Sequence, residues 1–228
     1  MALILCIDTA TRVCSVALTE NGLSRASRCI QSAGYSHAEN LHLMIDEVMQ
    51  ESGVEVKDLA AIAVSMGPGS YTGLRIGMAA AKGLCYALDI PLIGVSTLEL
   101  IQSHPEVVAV GATFAVSMID ARRNEVYAAV YDIQGDCVME DQPVILDKHS
   151  FEKFLNMGIT VFAGDGSIKF REQCPHPNAV FAQEAIPDAK HMGSLAFRNL
   201  AEGKTESLAY SEPHYLKDFV AGKPKKLL

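Results

Sequence analysis

Leu3-Ile4-Leu5-Cys6-Ile7-Asp8-Thr9-Ala10-Thr11-Arg12-Val13 opens the chain with an unbroken apolar run that ends at a carboxylate and a polar turn. A short run of this kind suits a strand covered on both faces. Val13 to Thr19 reads as a second strand. Glu20-Asn21-Gly22 reads as a hairpin turn, because Asn-Gly tolerates the positive φ that tight turns demand. Leu23 to Gln31 returns as a third strand. The same order recurs half a chain later. Cys6-Ile7-Asp8 aligns with Met118-Ile119-Asp120 at an offset of 112, and, after one inserted residue, Val13 to Gly22 aligns with Val126 to Gly135 at an offset of 113. Each half therefore begins strand, aspartate, polar turn, strand, glycine turn, strand. The chain reads as an internal duplication.

The elements that follow keep the same rhythm. Ser36-His37-Ala38-Glu39 has the form of a capping box, and Leu41, Met44, Ile45, Val48 and Met49 recur at helical spacing until Gly53. Leu59 to Met66 suits a buried strand, Leu74 to Leu88 a helix, and Pro91 to Val95 another strand. Ser96-Thr97-Leu98-Glu99 is a second capping box. In the second half, strands are expected at Thr113 to Ile119, Glu125 to Asp132, Cys137 to Leu146 and Ile159 to Ala163. Asp147 is expected to cap a helix through Phe151, Phe154 and Leu155. Pro187-Asp188 introduces a last helix running to Leu200, and Lys217 to Leu228 reads as a loose, lysine-rich end.

Length and composition bound the function. The 228 residues, 49% hydrophobic with mean hydropathy +0.17, fit one or two packed domains. No apolar run approaches the roughly 18 residues of a membrane helix, and Met1 to Asp8 lacks a basic leader region, so a cytoplasmic protein is expected. A formal charge of −8 repels phosphate backbones, which argues against a chain that grips nucleic acid broadly and alone. Six cysteines without a Cys-x-x-Cys pair exclude zinc-ribbon spacing and a disulfide scaffold; Cys6, Cys14 and Cys85 read as small buried hydrophobes. His37 and His42 are five residues apart and cannot share a metal as a pair four apart would. His104, His149, His176, His191 and His214 stand alone, and no metal site is expected.

Three features carry candidate chemistry. Asp8, Thr9 and Thr11 place a carboxylate and two hydroxyls at one hairpin, suited to water, Mg²⁺ or phosphate oxygens. Asp120 is expected opposite them across a cleft between the halves. Gly164-Asp165-Gly166 offers flat backbone at a helix start, where an anionic or nucleotide group can approach. Gly67-Pro68-Gly69-Ser70-Tyr71-Thr72-Gly73-Leu74-Arg75-Ile76-Gly77 is a glycine-rich loop entering a helix. It lacks Gly-Lys-Ser/Thr, and Pro68 breaks dinucleotide-fingerprint spacing. Gly73, Gly77, Ala80 or Ala81, and Gly83 or Leu84 form a smooth stripe, used either for packing on the chain's own sheet or for close approach of another helix. If one face of each helix covers the sheet, Met44, Val48, Leu74 and Met78 are left for a partner.

The paired aspartate hairpins with Gly164-Asp165-Gly166 resemble the actin-like ATPase superfamily. With Ile7-Asp8-Thr9-Ala10-Thr11, Gly67 to Gly77, Met118-Ile119-Asp120-Ala121-Arg122-Arg123-Asn124-Glu125-Val126-Tyr127 and Pro213-His214-Tyr215-Leu216, the whole chain resembles the bacterial TsaB (YeaZ) family. That resemblance implies an α/β, duplicated, ribonuclease-H-like fold of two lobes, each a mixed sheet flanked by helices, divided as residues 1–108 and 109–228. It implies a non-catalytic subunit for threonylcarbamoyl transfer to the adenosine beside the anticodon in tRNA. The partners implied are the paralogue TsaD, which carries the chemistry, and the ATPase TsaE. Homodimerisation occurs where TsaD is absent, tRNA is met through the complex, and ATP or ADP, where it enters, sits at the complex interface. The partner contact falls on the first two helices, here Leu41, Met44, Ile45, Val48, Gly73, Leu74, Gly77, Met78 and Ala81. The metal-binding His-x-x-x-His of the paralogue is missing from Ser96 to Ile101, which speaks against a metallopeptidase. The alternative function is an ATP-dependent phosphotransferase of the same superfold, with Asp8 holding Mg²⁺ and Asp120 orienting water or an acceptor.

Overall fold

Side chains alternate across each strand, so every strand of a buried sheet feeds two cores. The computed structural model describes residues 1–31, 37–182 and 184–217. In it β1 (Leu3–Asp8), β2 (Val13–Glu20) and β3 (Leu23–Gln31) form an antiparallel meander, and β4 (Ala61–Gly67) and β5 (Leu92–Ser96) extend the sheet in parallel on the other side of β1. The strand order is β3-β2-β1-β4-β5. The second sheet contains β6 (Phe114–Asp120), β7 (Glu125–Asp132), β8 (Cys137–Ile145), β9 (Thr160–Ala163) and β10 (Ala179–Ala182). Its order, β10-β9-β6-β7-β8, is the first order read from the opposite edge. Consecutive halves thus build one topology twice.

Parallel strands need long crossovers, and helices occupy them. The helices are α1 (His37–Ser52), α2 (Tyr71–Leu88), α3 (Thr97–Gln102), α4 (Pro105–Val110), α5 (Glu152–Met157), α6 (Ser167–Arg171) and α7 (Gly193–Ala201). The Ser96 hydroxyl caps α3 as the capping-box spacing predicts. Ser36 of the first capping box lies outside the described residues. Helix α2 starts earlier than expected, because the Ser70 hydroxyl accepts the Gly73 amide and draws Tyr71 to Gly73 into the first turn. Asp147 does not cap α5: its carboxylate closes a local turn on the His149 amide and the Ser150 hydroxyl, and Phe151, in the left-handed region, precedes the helix. Pro187-Asp188 leads into a single 3-10 turn, Ala189–His191, before α7. Short elements α4, α6 and β10 carry too few residues to show a period.

The strand registers also relocate the irregularity between the repeats. Asp8 pairs with Ser15, six residues separating them, whereas Asp120 pairs with Val126, with five between. The second hairpin loop is thus the shorter one, and the extra length that shifts Gly135 lies past the paired part of β7, in the turn between Tyr131 and Gly135.

Four cores result. One face of the first sheet (Leu3, Leu5, Ile7, Val16, Leu18) packs under α1 and α2. The other face (Ile4, Cys6, Ala17, Ala63, Ile93) is covered by Ala189, Met192, Leu195 and Ala196 from the end of the chain. The second sheet mirrors this. Ala115, Ile119 and Val161 lie under Leu98, Ile101 and Val107 of α3 and α4, and Val116, Met118 and Val130 meet an aromatic cluster that includes Phe154, Phe162 and Phe170. A boundary at 108/109 therefore does not separate the packing units. The terminal helices of each half cover the sheet of the other. Residues 204–217 also return to the first sheet: the Glu206 amide donates to Leu92 O at 2.8 Å, and the His214 amide donates to Met66 O at 2.6 Å. Lys217 is tied to Glu125, so the chain is anchored to that point and the rest of the expected loose end, 218–228, lies outside the described residues.

Candidate functional site

The hairpin after β1 is the first candidate centre, and it is sealed. Asp8, Thr9 and Thr11 are all buried. Asp8 projects on the face shared by Ile4 and Cys6, beneath the 188–191 turn, where the Ala10 amide donates to Oδ1 at 3.3 Å and Ser65 also bonds the carboxyl. Its Oδ2 has no partner among the described residues. Desolvation, with a smaller push from the Asp188 charge, raises its pKa to about 6. Thr9 lies under α2. The helix approaches so closely that a Cβ on Gly73 falls within 3.0 Å of the Thr9 carbonyl oxygen, and one on Gly77 meets the Thr9 hydroxyl equally closely. Gly69 meets the Ala10 carbonyl in the same way, and the Ser70 amide donates to it at 2.7 Å. The smooth stripe Gly73–Gly77 therefore serves the chain's own hairpin.

The sign of the Asp8 shift makes a prediction. The unfolded carboxyl titrates near 3.8 and the folded one near 6, so the native state holds the extra proton between these values. Stability then falls as pH rises from about 4 to about 6, by up to about 3 kcal/mol, and stays low above. Asp8→Asn should raise stability at pH 7.5 by about 2 kcal/mol and flatten this slope. Denaturant unfolding at pH 4.5 and 7.5 measures both; an unchanged slope contradicts the assignment.

The second hairpin is built differently. Asp120 is exposed, accepts Lys169 Nζ at 2.7 Å and receives the Arg122 amide at 2.5 Å. Asp165 Oδ1 accepts the Asp120 amide at 2.9 Å, and burial raises its pKa. Gly164 and Gly166 are required because Cβ atoms there meet the Met118 carbonyl oxygen and the Val126 side chain, each within 3.0 Å. Gly164-Asp165-Gly166 is thus the counterpart of the Gly67–Gly69 loop: each packs on the hairpin of its own sheet. Of the expected cleft set, Asp8, Thr9 and Thr11 are buried, Asp120 is exposed, and Gly164, Asp165 and Gly166 pack on the second hairpin. A cleft of about 560 Å³ between the halves is lined instead by Gly67, Glu99, Tyr131, Asp141, Arg198 and His214, among others, and by none of those seven.

The expected partner face also needs correction. Leu41, Met44, Ile45, Val48, Gly73, Leu74, Gly77, Met78 and Ala81 are all buried within this chain, most of them against β1, β2 and β4. What the helix pair shows to solvent is another stripe of α2, with Ala79, Gly83, Tyr86 and Ala87 exposed and Ile76 half-buried, together with Leu43 of α1. Tyr86 is 85% and Leu43 63% exposed. Positions 79, 83, 86 and 87 lie on one face at 3.6 residues per turn. Nearer the start of α2, Arg75 stacks on Tyr71 at 4.0 Å and its Nε donates to the Tyr215 phenol oxygen at 3.1 Å, which fixes the chain's return segment to the helix.

Among the described residues no group of three His, Cys, Asp or Glu is placed to hold a metal ion. The histidines are less isolated than their spacing suggests. His104 and His191 meet edge-on with centroids 4.5 Å apart, both with pKa values lowered mainly by burial, His191 to about 4. His214 bonds Asp141 at 3.0 Å. No helix among the described residues is long and apolar enough to cross a membrane.

A family described as TsaD, tRNA N6-adenosine threonylcarbamoyltransferase, matches residues 31–224. The tRNA threonylcarbamoyladenosine biosynthesis protein TsaB of Escherichia coli K12 is 34% identical over 226 residues, 96% of each chain. The solved structure of YeaZ from Pseudomonas aeruginosa is 30% identical and superposes with a TM-score of 0.81 over 95% of this chain and 100% of that one. The tRNA N6-adenosine threonylcarbamoyltransferase of Halalkalibacterium halodurans is 38% identical over 108 residues, 41% of this chain and 32% of that protein.

Proposed function

This chain belongs to the TsaB (YeaZ) family, whose actin-like, duplicated two-lobe fold it has, and from that premise we propose that it is a non-catalytic subunit that docks and activates the threonylcarbamoyltransferase paralogue. Its place is in tRNA threonylcarbamoyladenosine biosynthesis. The observation that carries the docking step is the exposed apolar stripe on α2, smooth at Ala79 and Gly83 and ending on Tyr86. Small residues at four-residue spacing let a partner helix come close, and an exposed tyrosine beside them supplies a large contact at low entropic cost. Binding shifts the transferase toward its active conformation. In this reading TsaE joins the pair, a homodimer uses the same stripe when the transferase is absent, tRNA is met in the complex, and any ATP or ADP site belongs to the joint surface.

The sealed Asp8 hairpin supports a non-catalytic role. A phosphotransferase needs that carboxylate on Mg²⁺, and here it is buried with Thr9 and Thr11. The test is Gly83→Arg and Ala79→Arg in co-purification and titration with the transferase. A Cβ at Gly83 meets nothing within 4 Å, so the fold tolerates the change. Losing a helix glycine even adds up to about 1 kcal/mol of stability. Affinity should fall roughly 100-fold while the melting temperature holds or rises. Undiminished binding would remove this surface from the account.

A further inference from the structure

The tip of the β6–β7 hairpin has a shape its residues disfavour. Arg122 and Arg123 both adopt positive φ, 71° and 50°, where glycine or asparagine is the usual occupant. Both are exposed, and neither side chain has a partner among the described residues. The acids around them are already matched. Asp120 holds Lys169, Glu125 holds Lys217, Asp147 is turned into its own loop, and Asp165 is occupied by the Asp120 amide. Lys148 extends the surplus. Asn124 donates to Leu146 O at 2.5 Å and accepts the Leu146 amide at 2.8 Å, which stitches the loop carrying Lys148 to the tip, and Lys148 is exposed and unpaired among the described residues.

We propose that Arg122 and Arg123, with Lys148 beside them, form an RNA phosphate clamp through which this chain itself touches the tRNA. The inference rests on the reading that the chain serves a tRNA-modifying assembly. A guanidinium fork matches two phosphate oxygens, and two adjacent forks on one hairpin tip suit successive phosphates of a backbone. A formal charge of −8 keeps RNA from the surface at large, so contact concentrates where cations outnumber free acids. Phosphate contacts of this kind orient an RNA without reading its sequence.

The decisive variant is Arg122→Gly with Arg123→Asn, which removes both charges and gives each position a residue type suited to its φ. Fluorescence anisotropy with a labelled tRNA is followed across a salt series, on the complex with the transferase and on this chain alone. The expected result is a salt slope smaller by about 1.5 and affinity lower by roughly tenfold, with an undiminished melting temperature and unchanged co-purification with the transferase. Unchanged RNA affinity and slope overturn the proposal. So does loss of transferase binding with RNA binding intact, which makes the tip a protein contact. If neither wild-type sample shows salt-dependent tRNA binding, the clamp does not exist. Failure of the wild-type chain to bind the transferase removes the subunit reading instead, and the chain-alone titration still judges the arginines.

Discussion

Leu74→Glu and Met78→Glu are expected to abolish folding rather than binding. Read from the sequence, both side chains sit on a helix with more apolar positions than one sheet needs, and a charge there is an interface probe. In the structure Leu74 is fully buried and Met78 is 4% exposed among Leu5, Ile7 and Val64. An unpaired carboxylate at either position costs several kcal/mol, against a total stability on the order of 5–15 kcal/mol. Soluble yield, circular dichroism and the unfolding midpoint separate the two readings. A folded Met78→Glu protein that merely loses its partner would show that the helix pair is wrongly placed here. Paired with Gly83→Arg, the comparison divides α2 into an inner face that holds the lobe together and an outer one free to bind.

Gly73→Ala should destabilise the protein by about 2–3 kcal/mol, a fall in melting temperature of roughly 5–10 °C. Ordinary helix propensity gives the opposite sign, since alanine in place of a helix glycine gains about 1 kcal/mol. The sign reverses because the new methyl falls within 3.0 Å of the Thr9 carbonyl oxygen, and backbone cannot rotate aside. Gly77 meets the Thr9 side chain, its hydroxyl most closely, and no backbone atom, so Gly77→Ala should cost less. Calorimetry on Gly73→Ala, Gly77→Ala and Gly83→Ala side by side is expected to rank them in that order, with the last at or above wild type. Equal midpoints for all three would mean that α2 does not press on the first hairpin.

The duplication was legible because it is written in local signals: an apolar run closed by an aspartate, then a glycine turn, twice. Those signals fix the succession of strands along the chain and most boundaries without any long-range knowledge. The faces of α2 were not legible. Tyr71-Thr72-Gly73-Leu74-Arg75-Ile76-Gly77-Met78-Ala79-Ala80-Ala81-Lys82-Gly83-Leu84-Cys85-Tyr86-Ala87-Leu88 is apolar or small almost all the way round, so periodicity cannot phase it, and the expected partner positions on it fall on the buried stripe. Tyr86 offered a signal, as a bulky residue at the end of a run of small ones. The two aspartates read alike for the same local reason. What separates them is covering: the 188–191 turn closes over Asp8, while Lys169 reaches Asp120 from the side. Neither follows from spacing along the chain.

Each repeat's terminal helices cover the sheet of the other, and this ties the halves into one cooperative object. A solitary half, folded alone, would leave an entire sheet face wet: Ile4, Cys6 and Ala63 in one case, Ala115 and Val161 in the other. Two unlinked copies of one repeat escape that fate only by lending helices to each other, so an exchanged pair is the form in which such a unit is viable before fusion.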